Sequence, residues 1–484
     1  MPPETIVIGG GLGGLAASIR LRLAGRRVRL LEKNGRLGGR CNRLELDGFT
    51  FDTGPTLLLM RDVLDDLFAC AGRRLEDYLD LVRLDPNYVI HFGDGSTLEI
   101  SGDLDATAKQ MDALETGAGE RFRHYLADAG RNYRISRERF VERNFCHWHE
   151  FFTPVNLRYL LATHALRSLA RHVGRFFEDE RLRLALSFQT MYLGLSPDDA
   201  PSIYSLLPYT EIAEGIWYPR GGMYRIVTAL ARLAGELGVE IETGAEVREV
   251  SRVERRVTDV RTADRSYPAD LVVCNADLPW ASRALFDIPR RRRLNPGSSA
   301  FLLYLGLDRR YPCLRHHNVY LSPDPAANFD AIFHRHSVPR DPSFYVCAPT
   351  GTDPSTAPPG GEALYVLVPV PATSPAIDWS SDASPLREHV LDRLERDLPG
   401  LCSHIVCERA YTPTDFEHDY HISRGSAFGL SHALHQVGYF RPSNRALGYD
   451  NLYFVGASTV PGGGIPMVII GSRLVAERIA EERR

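Results

Sequence analysis

The chain has 484 residues, of which 44% are hydrophobic and 24% are charged, so we expect two or three packed units of an ordinary folded protein. Its formal net charge is −4, and it has no basic arm, which argues against duplex nucleic acid as a partner. The eight cysteines show no C-x-x-C spacing, and we interpret them as free thiols of a reducing compartment. Because no apolar leader precedes the first predicted strand, we expect a cytoplasmic protein.

The first 32 residues have the order strand, glycine turn, helix, strand and acid, which is typical of a dinucleotide-binding unit. Gly9 permits the tight turn, Gly11 lets a pyrophosphate approach the backbone, and Gly14 lets the helix pack on the strand. Glu32 ends the second strand, where a carboxylate can accept a hydrogen bond from a ribose hydroxyl. The predicted helix over residues 15–23 offers free N–H groups and a positive dipole end to the phosphates, and we expect Leu12 and Gly13 of the glycine turn to contact the cofactor as well.

A second glycine cluster, Gly38-Gly39-Arg40, follows the second strand. Its backbone N–H groups can form an anion nest, and the Arg40 guanidinium can hold a phosphate through two hydrogen bonds. With these residues the sequence resembles the FAD-dependent desaturase and amine oxidase superfamily. The spacing alone indicates a dinucleotide, and the resemblance implies FAD. It extends the expected cofactor site to Lys33, Gly54, Pro55, Thr56 and Val247, the last through its backbone at the adenine.

The C-terminal stretch 451–472 carries no charged residue, but its prolines and glycines argue against a membrane span. We predict a buried strand, a loop and the start of a helix. A helix N-terminus aimed at a flavin stabilises the negative charge that the reduced ring gathers. The residues expected at this half of the cofactor site are Gly456, Ile465, Met467 and Val468.

Several further segments resemble bacterial and fungal phytoene desaturases, in order from end to end. They are 49–56, 202–207, 215–222, 412–416, 424–428, 440–442 and 451–471. This resemblance implies a long apolar tunnel and the desaturation of phytoene or a related carotenoid precursor. It also implies hydride transfer to flavin N5 with loss of a proton from the neighbouring carbon. Oxygen or a quinone would reoxidise the flavin.

The stretch 151–177 combines aromatic and leucine residues with arginines, and no acid interrupts it. Such a stretch can lie in a membrane interface, or it can pack on its own domain and leave a solvated basic face. A substrate without polar groups must leave a bilayer, and we therefore predict peripheral docking on membrane lipids at the inner face.

The candidates for a catalytic base are Asp415, in a Thr-Pro-Thr-Asp-Phe motif, and Glu150, near the proposed entrance. A carboxylate beside a hydrocarbon tunnel would also stabilise an allylic cation. The alternative roles, a helix cap for Asp415 and a solvated surface acid for Glu150, are commoner, and we favour them. The histidines show no ligand set with carboxylates on one element, so we predict no metal site.

The predicted fold class is α/β, with a Rossmann-like FAD-binding domain built from discontinuous segments. This domain takes residues 1–85, 211–285 and 426–484. A mixed β-sheet substrate domain takes residues 86–102 and 286–425, and a helical, membrane-docking subdomain takes residues 103–210. The alternatives are another carotenoid enzyme (a 3,4-desaturase, an isomerase, or a ketolase or oxygenase), an amine oxidase, and a flavin-free carrier of prenyl groups.

Overall fold

The computed structural model describes residues 4–163, 167–289 and 293–482 of the chain. Its strands are β1 (Glu4–Ile8), β2 (Arg27–Glu32), β3 (Arg43–Leu46), β4 (Phe49–Asp52), β5 (Leu81–Arg83), β6 (Tyr88–His91), β7 (Thr97–Ile100), β8 (Trp217–Pro219), β9 (Glu240–Thr243), β10 (Glu249–Val253), β11 (Arg256–Arg261), β12 (Ser266–Pro268), β13 (Leu271–Cys274), β14 (Ser299–Leu307), β15 (His317–Tyr320), β16 (Phe344–Cys347), β17 (Glu362–Val370), β18 (Ile405–Tyr411) and β19 (Leu452–Phe454).

The α-helices are α1 (Leu12–Leu23), α2 (Asp62–Cys70), α3 (Leu104–Leu114), α4 (Ala118–Ser136), α5 (Trp148–Phe151), α6 (Pro154–Ala162), α7 (Leu169–Val173), α8 (Glu180–Ala185), α9 (Leu206–Tyr209), α10 (Tyr224–Glu236), α11 (Leu278–Ala284), α12 (Pro325–Asp330), α13 (Trp379–Asp397), α14 (Pro413–Tyr420) and α15 (Ile465–Glu482). Short 3-10 and π turns connect several of them.

A five-stranded parallel sheet collects strands from the beginning, the middle and the end of the chain, in the order β19-β13-β1-β2-β9. Its central strands are apolar runs that are buried on both faces, as parallel strands covered by helices require. Val7, Leu30 and Val273 have no exposed surface. Helix α1 packs on this sheet between α15 and α10, so the first and last helices of the chain are neighbours.

The second large sheet has seven strands in the order β18-β14-β17-β16-β15-β6-β7. All its pairs are antiparallel except β6 with β15. A hairpin forms β6 and β7 at one edge. Strands β15 and β16 were not expected from the sequence. The mixed α/β fold class is confirmed.

The region between β7 and β8 is helical, as predicted, but the stretch 151–177 is divided into short helices. Pro154 starts α6, where the Thr153 hydroxyl accepts a hydrogen bond from the Asn156 N–H. The Ser168 side chain caps α7 in the same way. Residues 164–166 of this stretch lie outside the described residues. Within the described part of the chain, no helix is long and apolar enough to cross a membrane.

A buried carboxyl, Glu211, lies where the helical region meets the seven-stranded sheet. One of its oxygens accepts hydrogen bonds from the Tyr88 hydroxyl and the Gln189 amide, both at 3.1 Å. The other oxygen is buried and has no hydrogen-bond partner among the described residues. Burial raises the pKa of Glu211 to about 7, and the two hydrogen bonds only partly oppose this shift.

The raised pKa predicts a pH-dependent stability. The folded state favours the protonated carboxyl, so its contribution is complete below the unfolded pKa of about 4.3 and is lost as pH rises to about 7. Thermal unfolding should therefore show a lower midpoint at pH 8 than at pH 5. Glu211→Gln, which mimics the protonated acid, should reduce this difference by an amount equivalent to about 3 kcal/mol or less. An unchanged pH dependence in the variant would contradict this assignment.

Candidate active site

One cavity of about 570 Å³ extends from the carboxyl ends of β1 and β2 to the inner face of the seven-stranded sheet. This volume lies in the range of small-molecule sites, about 300 to 1,000 Å³. The end near β1 is lined by glycine turns and charged side chains, and the other end is lined by leucine, methionine and aromatic side chains. The cavity therefore has a polar half and an apolar half.

The glycine turn after β1 places the N-terminus of α1 in the polar half. A Cβ atom on Gly14 would lie 2.1 Å from the Gly9 carbonyl oxygen, so only glycine permits this approach of helix and turn. Gly11 precedes the helix in an extended conformation, and no side chain caps it. The first N–H groups of α1 are consequently left for a ligand, which is the arrangement that binds phosphate.

Glu32 ends β2 beside this turn and is 5% exposed. Its two carboxylate oxygens accept hydrogen bonds from the Gly10 N–H at 2.7 Å and the Asn34 N–H at 2.8 Å. Burial raises the pKa of Glu32, and the backbone donors partly oppose that shift. Each oxygen keeps a further lone pair, so the carboxylate can accept a hydroxyl donor from a ligand in the cavity.

The second glycine cluster lies across the turn from α1, and the Gly38 N–H donates to the Gly10 carbonyl at 2.9 Å. Arg40 lines the cavity and donates one hydrogen bond, to the Ala427 carbonyl at 2.7 Å. Burial lowers the pKa of its guanidinium, and Asp277 partly opposes that shift. Within the described residues, no carboxylate lies within ion-pair distance of Arg40, so the remaining donors suit an anionic ligand.

The C-terminal part of the polar half is the loop between β19 and α15, which includes Gly456, and the first residues of α15. The buried Arg441 side chain, which is 2% exposed, stabilises this loop. Its guanidinium donates to five backbone carbonyls, and burial lowers its pKa to about 10. The acceptors are the carbonyls of Leu430, Ser431, Gln436, Ala457 and Thr459.

The residues predicted to bind the cofactor lie together in this cavity, with the exception of Gly14, which packs behind the turn. Those that line the cavity are Gly9, Gly11, Leu12, Gly13, Glu32, Lys33, Gly38, Gly39, Arg40, Gly54, Pro55, Thr56, Val247, Gly456, Ile465, Met467 and Val468. They come from distant parts of the chain. Their role in binding a cofactor stays a prediction.

The apolar half was expected from the resemblance, but its residues were not predicted individually. The helical region contributes Phe188, Met191, Leu206 and Leu207. The seven-stranded sheet contributes Val319, Phe344 and Leu367, and Leu321 directly follows β15. These side chains come from many short elements, so no local sequence pattern identifies them. Together they form a hydrocarbon-like wall that continues from the polar half.

Neither candidate base lines the cavity. One Asp415 oxygen accepts hydrogen bonds from the N–H and the hydroxyl of Thr412, both at 2.7 Å, and so caps α14. Glu150 is exposed, and one of its oxygens accepts from the N–H groups of Cys146 and His147. Both carboxylates thus have the capping or surface position that we favoured, and a catalytic role for either stays a prediction.

Four exposed apolar side chains lie on α5 and α6, and we call them together the α5–α6 patch: Trp148 (64% exposed), Val155 (51%), Leu157 (44%) and Leu161 (69%). An aromatic cluster adjoins it, because Phe152 contacts Phe440, which is itself 44% exposed. Phe151 contacts Tyr439 in the same cluster. Val437, two residues before Tyr439, lines the apolar half of the cavity, so the patch lies near that half.

Comparisons with known proteins agree with this geometry. The model of the flavin containing amine oxidoreductase family matches residues 12–480. A zeta-carotene-forming phytoene desaturase of Myxococcus xanthus is 46% identical over 98% of this chain and 93% of its own length. A 4,4'-diapolycopene oxygenase of Methylomonas sp is 39% identical over 99% of this chain and 98% of its own length.

Solved structures show the same fold at lower identity. A Methanosarcina mazei oxidoreductase superposes with a TM-score of 0.67 at 20% identity, covering 98% of this chain and all of the other. A putrescine oxidase superposes with a TM-score of 0.65 at 16% identity, covering 99% of both chains. The family match, the full-length relatives and the fold lead to one conclusion: the chain belongs to the flavin-containing amine oxidoreductase family and is a flavin-dependent oxidoreductase.

Proposed function

We propose that this protein is an FAD-dependent desaturase that introduces conjugated double bonds into phytoene or a related carotenoid precursor. The observation that carries the proposal is one cavity whose polar half suits a dinucleotide and whose apolar half, lined by leucine, methionine and aromatic side chains, continues directly from it. Several full-length relatives are named as enzymes that act on carotenoid precursors, and these names support the same substrate class.

The residues of the polar half fit FAD. The N-terminus of α1 and the Arg40 guanidinium would bind the pyrophosphate, and Glu32 would accept from the adenosine ribose. The N-terminus of α15 would stabilise negative charge on the isoalloxazine. FAD, when bound, supplies the acceptor for the hydride that leaves an allylic carbon.

The apolar half would bind the polyene through the hydrophobic effect and shape complementarity, because a hydrocarbon has no group that can form a hydrogen bond. Leu206, Met191 and Phe344 form parts of this wall. The proton that accompanies the hydride needs an acceptor, for which Asp415 and Glu150 stay the candidates. Oxygen or a quinone would reoxidise the flavin.

The α5–α6 patch supports peripheral docking on the inner face of a membrane. Singly exposed apolar residues are ordinary, but here four lie on two successive short helices beside an exposed aromatic cluster. The patch also lies near the apolar half of the cavity. Membrane lipid would cover the patch and deliver the substrate there.

The proposed reaction has a defined product that can be measured. Flavin-loaded protein incubated with phytoene-loaded liposomes and a quinone should produce polyenes that absorb at longer wavelength, as measured by chromatography with absorbance and mass detection. Putrescine is the comparison substrate and should not be oxidised. Relatives include an oxygenase and a carotenoid 3,4-desaturase, so a product that gains oxygen, or activity only on already conjugated substrates, would favour those alternatives.

The proposed FAD site predicts that Glu32 contributes to the affinity for the cofactor. Glu32→Ala should weaken FAD binding by about tenfold to a hundredfold, because it removes a charged acceptor that both the ribose and the turn use. The dissociation constant is measured by flavin fluorescence. Glu45→Ala is the matched control, since Glu45 is an exposed acid on β3 outside the cavity. Equal affinities in the two variants would exclude Glu32 from the cofactor site.

Peripheral docking predicts that the α5–α6 patch contributes to the binding of liposomes. The double variant Trp148→Glu/Leu161→Glu should sediment with liposomes at least about tenfold less than the unaltered protein, because it loses two apolar contacts with lipid and gains charge. Val253→Glu is the matched control, since Val253 is 63% exposed on β10, outside the α5–α6 patch. Binding equal to that of the unaltered protein would show that the patch does not contact lipid.

A further inference from the structure

A group of three metal-ligating side chains lies outside the cavity, on the seven-stranded sheet. His316 directly precedes β15, His317 begins that strand, and Cys347 ends β16. His317 and Cys347 are cross-strand partners in the antiparallel pair. One potential ligand atom from each residue lies within 4.8 Å of the other two. All three are buried, with exposures of 8%, 1% and 4%.

Hydrogen bonds orient the two imidazole rings. The Tyr345 hydroxyl donates to Thr56 Oγ1 at 2.9 Å, so its oxygen accepts from His317 Nδ1, which lies 2.6 Å away. A neutral His317 ring with its proton on Nδ1 has a bare lone pair on Nε2. His316 Nδ1 lies 2.8 Å from the Thr352 hydroxyl oxygen, a distance at which an Nδ1–H group can donate to it. Partners of this kind on the second ring nitrogen are typical of histidines that bind metals.

The remaining ring nitrogens are the unusual feature. His316 Nε2 and His317 Nε2 are both buried, and neither has a hydrogen-bond partner among the residues that the structure describes. A buried unpaired polar atom costs about 1 to 3 kcal/mol, and two of them side by side indicate a missing partner. Tyr218 is buried beside this pair, and its ring centroid lies 4.5 Å from that of His316.

We propose that His316, His317 and Cys347 bind one Zn²⁺ ion. Two imidazole nitrogens and one thiolate are the ligands that Zn²⁺ takes in proteins, whereas Mg²⁺ and Ca²⁺ require oxygen ligands. Binding releases the Cys347 thiol proton to solvent, and no electron is transferred.

The position of this site gives the ion a structural role. Tyr345 and Thr56, which fix the His317 ring, both line the cavity. The ion would lie behind this wall and would connect β15, β16 and the segment before β15. It would therefore hold the cavity wall in place without touching the substrate, and the inference does not depend on the identity of that substrate.

The test is a zinc measurement on the full-length flavoprotein. Protein is offered equimolar Zn²⁺ and Cu⁺, passed through a desalting column and analysed by mass spectrometry for metals. We expect about one zinc ion per chain, with one sulfur and two imidazole nitrogens in its X-ray absorption spectrum. Cys347→Ser should bind Zn²⁺ at least about tenfold more weakly. Cys407→Ser, a buried cysteine on β18 of the same sheet, is the matched control and should bind normally.

Three results would overturn the proposal. They are retention of less than about a tenth of an equivalent of zinc by the unaltered protein, retention of copper in place of zinc, and equal zinc affinity in the two cysteine variants. The first two use the unaltered protein and do not depend on the folding of a variant. Flavin content and circular dichroism show whether Cys347→Ser is folded, so a loss of zinc in an unfolded variant is not counted as support.

Discussion

The architecture depends on the contact between the glycine turn after β1 and the first turn of α1. Gly14 lies so close to the Gly9 carbonyl that a Cβ atom would be 2.1 Å away, and this closeness directs the free N–H groups of α1 into the cavity. The remaining polar half is arranged around that point. Glu32 accepts a hydrogen bond from the Gly10 N–H, and the second glycine cluster donates one to the Gly10 carbonyl. Helix α15 packs beside α1.

The cavity also requires that distant segments converge. The five-stranded sheet joins strands from the beginning, the middle and the end of the chain, which brings Val247 and Gly456 to the turn after β1. Arg441 fixes the last of these segments by donating to the Ala457 and Thr459 carbonyls, contacts that replace regular secondary structure in the loop before α15. The apolar half is then closed by the second sheet and the helical region. This division explains how one cavity can suit both a dinucleotide and a hydrocarbon.

The residues of the polar half could be named from the sequence, because each part is a local pattern: the turn at Gly9, the acid Glu32, and the loop before α15. It predicted the apolar half only as a class, since side chains such as Phe188 and Leu367 meet through tertiary packing of unrelated elements. For the same reason, the sequence around His316 and His317 shows no metal-binding motif. Their third partner, Cys347, lies on the neighbouring strand and becomes visible only through the register of β15 and β16. The sequence suggested 151–177 as one continuous stretch, but Pro154 and the caps at Thr153 and Ser168 divide it into short helices.

The central claim is that one cavity brings a flavin and a polyene into reacting contact. It is tested most directly by mixing flavin-loaded protein with phytoene-loaded liposomes in the absence of oxygen and of any other electron acceptor. The account predicts loss of the visible absorbance of the oxidised flavin, together with one new double bond for each flavin reduced. A flavin that stays oxidised with phytoene, and that is reduced by an amine under the same conditions, would contradict it.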